Sequence, residues 1–128
     1  MAVYLLDTNV IIDVLNNKRD RRGLLRQLLD QRHTLACCPI NVTEIYAGMR
    51  PHEADATERF LRSLQLLPMT WPVAKLAGEI SRDYRKKGKT LNLGDVIIAA
   101  TALYNNLTLL TGNIKDFPMK ELALYPLP

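Results

Sequence analysis

The chain opens on an apolar run, Ala2 to Leu6, that is cut off by Asp7-Thr8-Asn9, and this junction narrows the available folds more than any other feature. Asp, Thr and Asn cap helices, and Val10 to Leu15 continues apolar around Asp13, so the segment reads as strand, tight turn, helix. The alternation then repeats. Leu24, Leu25, Leu28 and Leu29 recur at the spacing of one helix face, and Thr34 to Cys38 reads as a buried strand ended by Pro39. Asn41 is a candidate N-cap for a helix through Met49, and Phe60, Leu61 and Leu64 mark the inner face of another helix from near Glu53. After a short strand at Leu66-Leu67, Pro72 opens a helix whose stripe Val73, Leu76, Ala77, Ile80 and Tyr84 runs towards a stop at Gly88. Gly94 to Tyr104 is apolar on nearly all sides, as a buried helix would be. Leu107 to Thr111 is then a strand entering the loop Gly112 to Pro118, and Ala123 to Leu127 offers an edge strand.

Strands alternating with helices at these spacings imply an α/β fold, with a mostly parallel sheet covered on both faces. At 128 residues and 48% hydrophobic, the chain suits one compact domain over residues 1–128, because two cores would each be too small to offset their ordering entropy. No stretch approaches the ~20 apolar residues of a membrane span, and Asp7 and Asp13 interrupt the apolar N-terminus. Cys37 and Cys38 are neighbours in a strand, where alternation sends them to opposite faces, which fits a buried, reduced pair in a cytoplasmic protein.

Where the acids fall carries the functional information. Asp7 ends the first strand, Glu44 follows the second, Asp95 opens the buried helix, and Asp116 and Asn113 sit in the loop after Thr111. Ligands of open α/β sheets gather outside the carboxyl ends of the strands, so these side chains are placed to share one pocket. Unpaired carboxylates resist such packing unless protons or a cation neutralise them. Oxygen-only donors favour a hard ion, Mg²⁺ or Mn²⁺, which can bind phosphate oxygens and activate a water for phosphodiester hydrolysis.

Each acid also has a purely structural reading. Asp7, Thr8 or Asn9 could only cap the first helix, Asn41 with Glu44 fits the spacing of a capping box, and Asp95 gains from the helix macrodipole in any case. Those readings leave the coincidence unexplained, in a chain with 13 acids against 17 bases. Asp13 is expected to face solvent or a partner. Asp20, Asp30, Asp55, Glu58 and Asp83 belong to polar helix faces, and His33 and His52 to the surface.

The net charge of +4 suits an anionic partner. Bases concentrate at Lys18, Arg19, Arg21 and Arg22, and again at Arg82, Arg85, Lys86, Lys87 and Lys89. They can be solvated helix ends, or a rim that holds RNA phosphates on either side of the cut, with Arg85, Lys86, Lys87 and Lys89 as the candidate RNA contacts. No run of stacking aromatics and no glycine-rich phosphate loop is present.

Four segments, Leu5 to Asp13, Thr43 to Gly48, Gly94 to Leu103 and Thr111 to Phe117, resemble the PIN domain in order and content across essentially the whole chain. Pattern and length most resemble VapC-type toxins of toxin–antitoxin pairs. The resemblance implies a five-stranded parallel sheet sandwiched between helices and a Mg²⁺- or Mn²⁺-dependent endoribonuclease. It also implies a homodimer and a VapB-type antitoxin laid across the acidic groove. Asp7, Glu44 and Asp95 are its implied metal-binding and catalytic core, with Asp116 or Asn113 in the fourth place and Thr8, Asn9 and Thr111 in support. Leu24 and Leu28 are expected among the apolar residues left for a partner or the dimer. Two other readings are a haloacid-dehalogenase-like phosphatase and a catalytically silent binding module. The first needs an acid two residues after Asp7, where Asn9 stands, and the second leaves three acids unexplained.

Overall fold

The structure, a computed structural model, describes residues 1–127. Among these residues five strands form one sheet in the order β3-β2-β1-β4-β5, every neighbouring pair parallel. The strands are β1 (Val3–Leu6), β2 (Thr34–Cys37), β3 (Gln65–Leu66), β4 (Thr108–Leu110) and β5 (Ala123–Leu124). Helices α1 (Thr8–Leu15), α2 (Arg21–Asp30), α3 (Pro39–Gly48), α4 (Ala54–Arg62), α5 (Trp71–Lys86) and α6 (Leu93–Tyr104) connect them. The expected order of elements is therefore the observed one, with ends shifted by up to three residues, the last strand stopping at Leu124 and not Leu127.

Alternation along the central strands splits the core between the two faces of the sheet. Leu5, Ala36, Cys38 and Leu109 pack on one side with Val73 and Ala77 of α5 and Val96, Ile98, Ala99 and Ala100 of α6. Leu6, Leu35, Cys37 and Leu110 pack on the other with Val10, Ile11 and Val14 of α1, Leu25 and Leu28 of α2 and Leu61 of α4. Cys37 and Cys38 are thus free, buried and on opposite faces, as alternation requires. Helix α6 is buried along Val96 and Ile98 to Ala102 because it lies over the centre of the sheet.

Four local readings change. Pro39 does not merely end β2 but occupies the first turn of α3, where a proline lacks no bond it would otherwise make. Cys38 is the N-cap of that helix and Asn41 lies three residues inside it. Leu28 is buried at 3% exposure while Leu29 stands 54% exposed, so the residue of α2 left for a partner is Leu29, and Leu24 is half-buried. Asp13 is half-buried and pairs with Arg19 at 3.0 Å, because the turn after α1 folds back over it.

That turn is held by Arg22, whose Nε donates to the Val14 carbonyl at 2.8 Å and satisfies an acceptor that the end of α1 would otherwise leave open. His33 accepts from the Ala2 backbone N–H at 3.0 Å and stacks edge-on against Tyr4, a structural role where β1 and β2 begin. Among the described residues no helix is long and apolar enough to cross a membrane.

The division of α2 is directly measurable. Leu28→Ala should lower unfolding free energy by about 2–5 kcal/mol, the usual cost of emptying a packed site. Leu29→Ala should stay within about 0.5 kcal/mol. Urea denaturation of the two variants compares them.

Candidate active site

Strand order places the crevice. The chain leaves β1 towards β2 on one side and returns through β4 on the other, so the sheet switches direction between β1 and β4, where the ends of parallel strands leave a gap. Asp7 ends β1 at that gap, its backbone N–H continuing the ladder to the Leu110 carbonyl at 2.8 Å. The capping role allowed for Asp7 is real: its Oδ1 accepts from the Thr8 backbone N–H at 2.8 Å. It is also incomplete as an explanation. Oδ2 accepts from the Thr111 hydroxyl at 2.7 Å and from Asn9 Nδ2 at 2.9 Å, and the residue is 4% exposed. Asn9 in turn accepts from the Gly112 backbone N–H at 3.0 Å, and Thr111 accepts from that of Asn113 at 3.0 Å. The loops after β1 and β4 are thereby tied together around one carboxylate.

Glu44 reaches the same place from α3. No capping box joins it to Asn41; instead Glu44 Oε1 accepts from the Thr8 hydroxyl at 2.7 Å. Its other oxygen lies against the start of α6, since a Cβ built on Gly94 would stand 3.3 Å from Glu44 Oε2 and 3.1 Å from Asn92 Oδ1. A side chain at that position would press on both groups.

Asp95 follows in the first turn of α6, where Asn92 caps the helix by accepting from the Asp95 N–H at 3.2 Å. It does not sit at a strand end. It reaches the rim because α6 starts there and leads into β4. Asp116 arrives in a one-turn 3-10 helix, Ile114–Asp116, after β4.

These acids act on one another electrostatically. The Asp95 carboxyl is pushed up to about 6, first by burial and then by the charges of Asp7, Asp116 and Glu44. Asp7 is raised too, burial outweighing the bonds from Thr111, Thr8 and Asn9, with Glu44 adding to the rise. No lysine or arginine enters either balance, and no ion pair among the described residues involves Asp7, Glu44, Asp95 or Asp116.

A family model for the PIN domain matches residues 4–120. The chain belongs to the PIN-domain family. Ribonuclease VapC19 of Mycobacterium tuberculosis is 31% identical over 115 residues, which cover 90% of this chain and 92% of that protein. Ribonuclease VapC10 of the same organism is 39% identical over 87 residues, 68% of this chain and 65% of its own length. Among solved structures, VapBC2 from Rickettsia felis bound to a promoter DNA fragment superposes with a TM-score of 0.86 at 25% identity, covering 96% of this chain and 97% of that one. VapBC-1 from nontypeable Haemophilus influenzae, at 23% identity, shares the fold with a TM-score of 0.82 over 98% of both chains.

Of the residues singled out from sequence, Asp7, Thr8, Asn9, Thr111 and the Asn113 backbone form one hydrogen-bonded unit, and Glu44 joins it through Thr8. Of the two candidates for the fourth place in this PIN domain, Asp116 is the one whose charge Asp95 feels. Arg85, Lys86, Lys87 and Lys89 are exposed at the end of α5 and in the six residues that lead to α6, and Lys87 lies over the Tyr84 ring at 5.3 Å. Sequence reasoning missed Gly94 and the true position of Asn41. The adjacency of Gly94 to Asp95 was the only signal for the first, and the proline two residues before Asn41 was the signal for the second.

Whether this set suits a metal is decided by its chemistry. Among the described residues no three or more His, Cys, Asp or Glu side chains are gathered as a group that could hold a metal ion. Zinc-type structural sites need such a group, whereas Mg²⁺ keeps several waters and takes one or two carboxylates directly. An open, all-oxygen set in which Asp7 and Asp95 are raised by burial and by neighbouring negative charge fits the second kind of ion.

The charge balance predicts a pH-dependent difference. A raised carboxyl favours the folded state fully below its ordinary value near 3.8, and that contribution is lost as pH rises through about 6. In metal-free protein, Asp95→Asn should therefore match wild type in Tm below pH 4. It should gain on wild type as pH passes 6, by on the order of 1 kcal/mol once screening at this half-exposed group is allowed for. Added Mn²⁺ should erase the gain by stabilising wild type alone. Thermal melts from pH 3.5 to 8 measure this.

Proposed function

We propose that this PIN domain is the toxin of a toxin–antitoxin pair, an endoribonuclease that hydrolyses RNA phosphodiester bonds with Mg²⁺ or Mn²⁺ held by Asp7, Glu44 and Asp95, with Asp116 in the fourth place. The observation that carries the reading is a group of carboxylates at the sheet's switch point, where burial and the charges of Asp7, Asp116 and Glu44 raise Asp95, burial and Glu44 raise Asp7, and no basic side chain enters either balance. The relatives named ribonucleases support chemistry of the same class.

Bound there, the ion would supply Lewis acidity, lowering the pKa of an attacking water and stabilising charge on the leaving oxygen. The chain's own residues do the positioning. Thr111 and Asn9 hold one Asp7 oxygen and the Thr8 backbone N–H holds the other, so the carboxylate cannot rotate. The Thr8 hydroxyl fixes Glu44, and Gly94 leaves room for it. Arg85, Lys86, Lys87 and Lys89 lie within a short stretch of chain before Asp95 and would take phosphates beside the scissile one.

The structural neighbours are toxin–antitoxin complexes, which supports a VapB-type antitoxin as the silencing partner. Lys or Arg from such a partner would compensate the carboxylates directly. Ile12, one helical turn after Thr8, and Leu93 and Ile114, each two residues before an acid, are 43%, 62% and 55% exposed and would give that partner apolar contact. A homodimer and a cytoplasmic location, where the RNA is, complete the reading.

Asp7→Asn tests the site with little change in volume. Metal-dependent cleavage of RNA should fall by at least ~10³-fold while circular dichroism is unchanged, because the amide removes the charge that holds the ion. Chelation with EDTA should silence wild type and Mn²⁺ should restore it. Equal cleavage by wild type and variant would discredit the assignment. A second prediction concerns the rim: replacing Lys86, Lys87 and Lys89 with Ala should raise KM for RNA several-fold. The salt dependence of binding should flatten by up to about one unit of log–log slope for each phosphate that is no longer neutralised.

A further inference from the structure

Asn41 is fully buried, at 0% exposure, and plays no part in the reaction as described so far. The Cys38 backbone N–H lies 2.8 Å from one end of its side-chain amide. A backbone N–H can only donate, so that end is the carbonyl Oδ1, and the flip of the amide is decided. The Cys38 thiol also donates to Oδ1, at 3.2 Å. The amide nitrogen is thereby turned to Thr8, donating to Oγ1 at 3.0 Å. A threonine hydroxyl carries one proton. With a lone pair receiving Asn41, that proton points to Glu44 Oε1, 2.7 Å away. One peptide group at the end of β2 thus sets the direction of each bond in a line from Cys38 through Asn41 and Thr8 to Glu44.

We propose that Asn41 is a positioning residue of the nuclease site, which fixes the polarity of the Thr8 hydroxyl and through it holds the Glu44 carboxylate turned towards the start of α6. The inference rests on the ribonuclease reading above. Glu44 is an exposed side chain on the surface of α3, and a glutamate there is ordinarily free to explore several rotamers. The Thr8 hydroxyl is the one hydrogen bond to its carboxylate among those described. A hydroxyl with no other partner would still turn its proton to the carboxylate, but nothing would keep Oγ1 from following the mobile glutamate. Asn41, donating to that oxygen from the buried side, anchors it. Groups that orient a metal-binding carboxylate from behind are commonly worth ~10–100-fold in metal affinity or activity.

The plainer role for Asn41 is to cap α3 through Cys38, and the two roles separate experimentally. A cap affects stability; a positioning residue changes kcat and ion binding while KM for RNA stays put. In the full chain, Asn41→Leu should weaken Mn²⁺ binding by ~10-fold in calorimetric titration and lower kcat by at least ~10-fold. KM for RNA should remain within about twofold. In a Thr8→Val background the same substitution should add less than about twofold, because both act on one bond. Wild-type Mn²⁺ affinity and kcat in Asn41→Leu, or losses that multiply in the double variant, would overturn the proposal. Asn41→Asp carries the test if the leucine variant does not fold, since it keeps the acceptor for Cys38 but cannot donate to Thr8. Ionised, it should lose cleavage, with a lower Tm because a charge is buried there, and wild-type kcat in that variant would be equally fatal. Wild-type protein that neither binds Mn²⁺ nor cleaves RNA would instead remove the ribonuclease reading, leaving the two failures distinguishable.

Discussion

Repulsion among like charges, confined at the one gap that a parallel sheet of this order must leave, governs the rest of the molecule. Asp7 cannot withdraw, because both of its oxygens are hydrogen-bonded and the residue is buried at the meeting of β1 and β4. Glu44 is tethered to the residue beside it, and Asp95 is fixed in the first turn of a helix packed through the core. Each restraint is local, and together they keep negative charge where it destabilises the empty fold. Such an arrangement persists when function needs the strain, and in the proposed reading a hard cation would relieve it.

The scaffold accounts for how so small a chain supports this. Two core layers, one under α1, α2 and α4 and the other under α5 and α6, cover the faces of the central strands. Loops there are short and tied to one another through Asn9, Thr111 and Gly112, so the acids are presented by rigid elements. Membership of the PIN family fits this economy: the acids come from four separate segments, and the fold is what assembles them.

Much of this was legible in the residues. Asp7, Glu44 and Asp95 declared themselves by position relative to apolar runs, and period-2 alternation placed Cys37 and Cys38 on opposite faces correctly. What failed depended on side-chain direction or on contacts distant in sequence. Asn41 followed by Glu44 looks like a capping box, yet Pro39 starts α3 earlier, so Asn41 folds back to Cys38 and Glu44 is left for Thr8. Leu28 and Leu29 are equally apolar, and only the helix phase set by packing on α1 buries one and exposes the other. Asp13 looked like a surface acid because its partner Arg19 is brought round by the turn Asn17 to Asp20, where Asn17, Arg19 and Asp20 take positive φ without a glycine to announce it.

The most direct test is crystallographic. Crystals of the protein grown with Mn²⁺ should give an anomalous difference peak at the manganese edge in contact, directly or through water, with the carboxylates of Asp7, Glu44 and Asp95. Well-ordered carboxylates with no peak between them at saturating Mn²⁺, or a peak held elsewhere on the surface, would contradict the account.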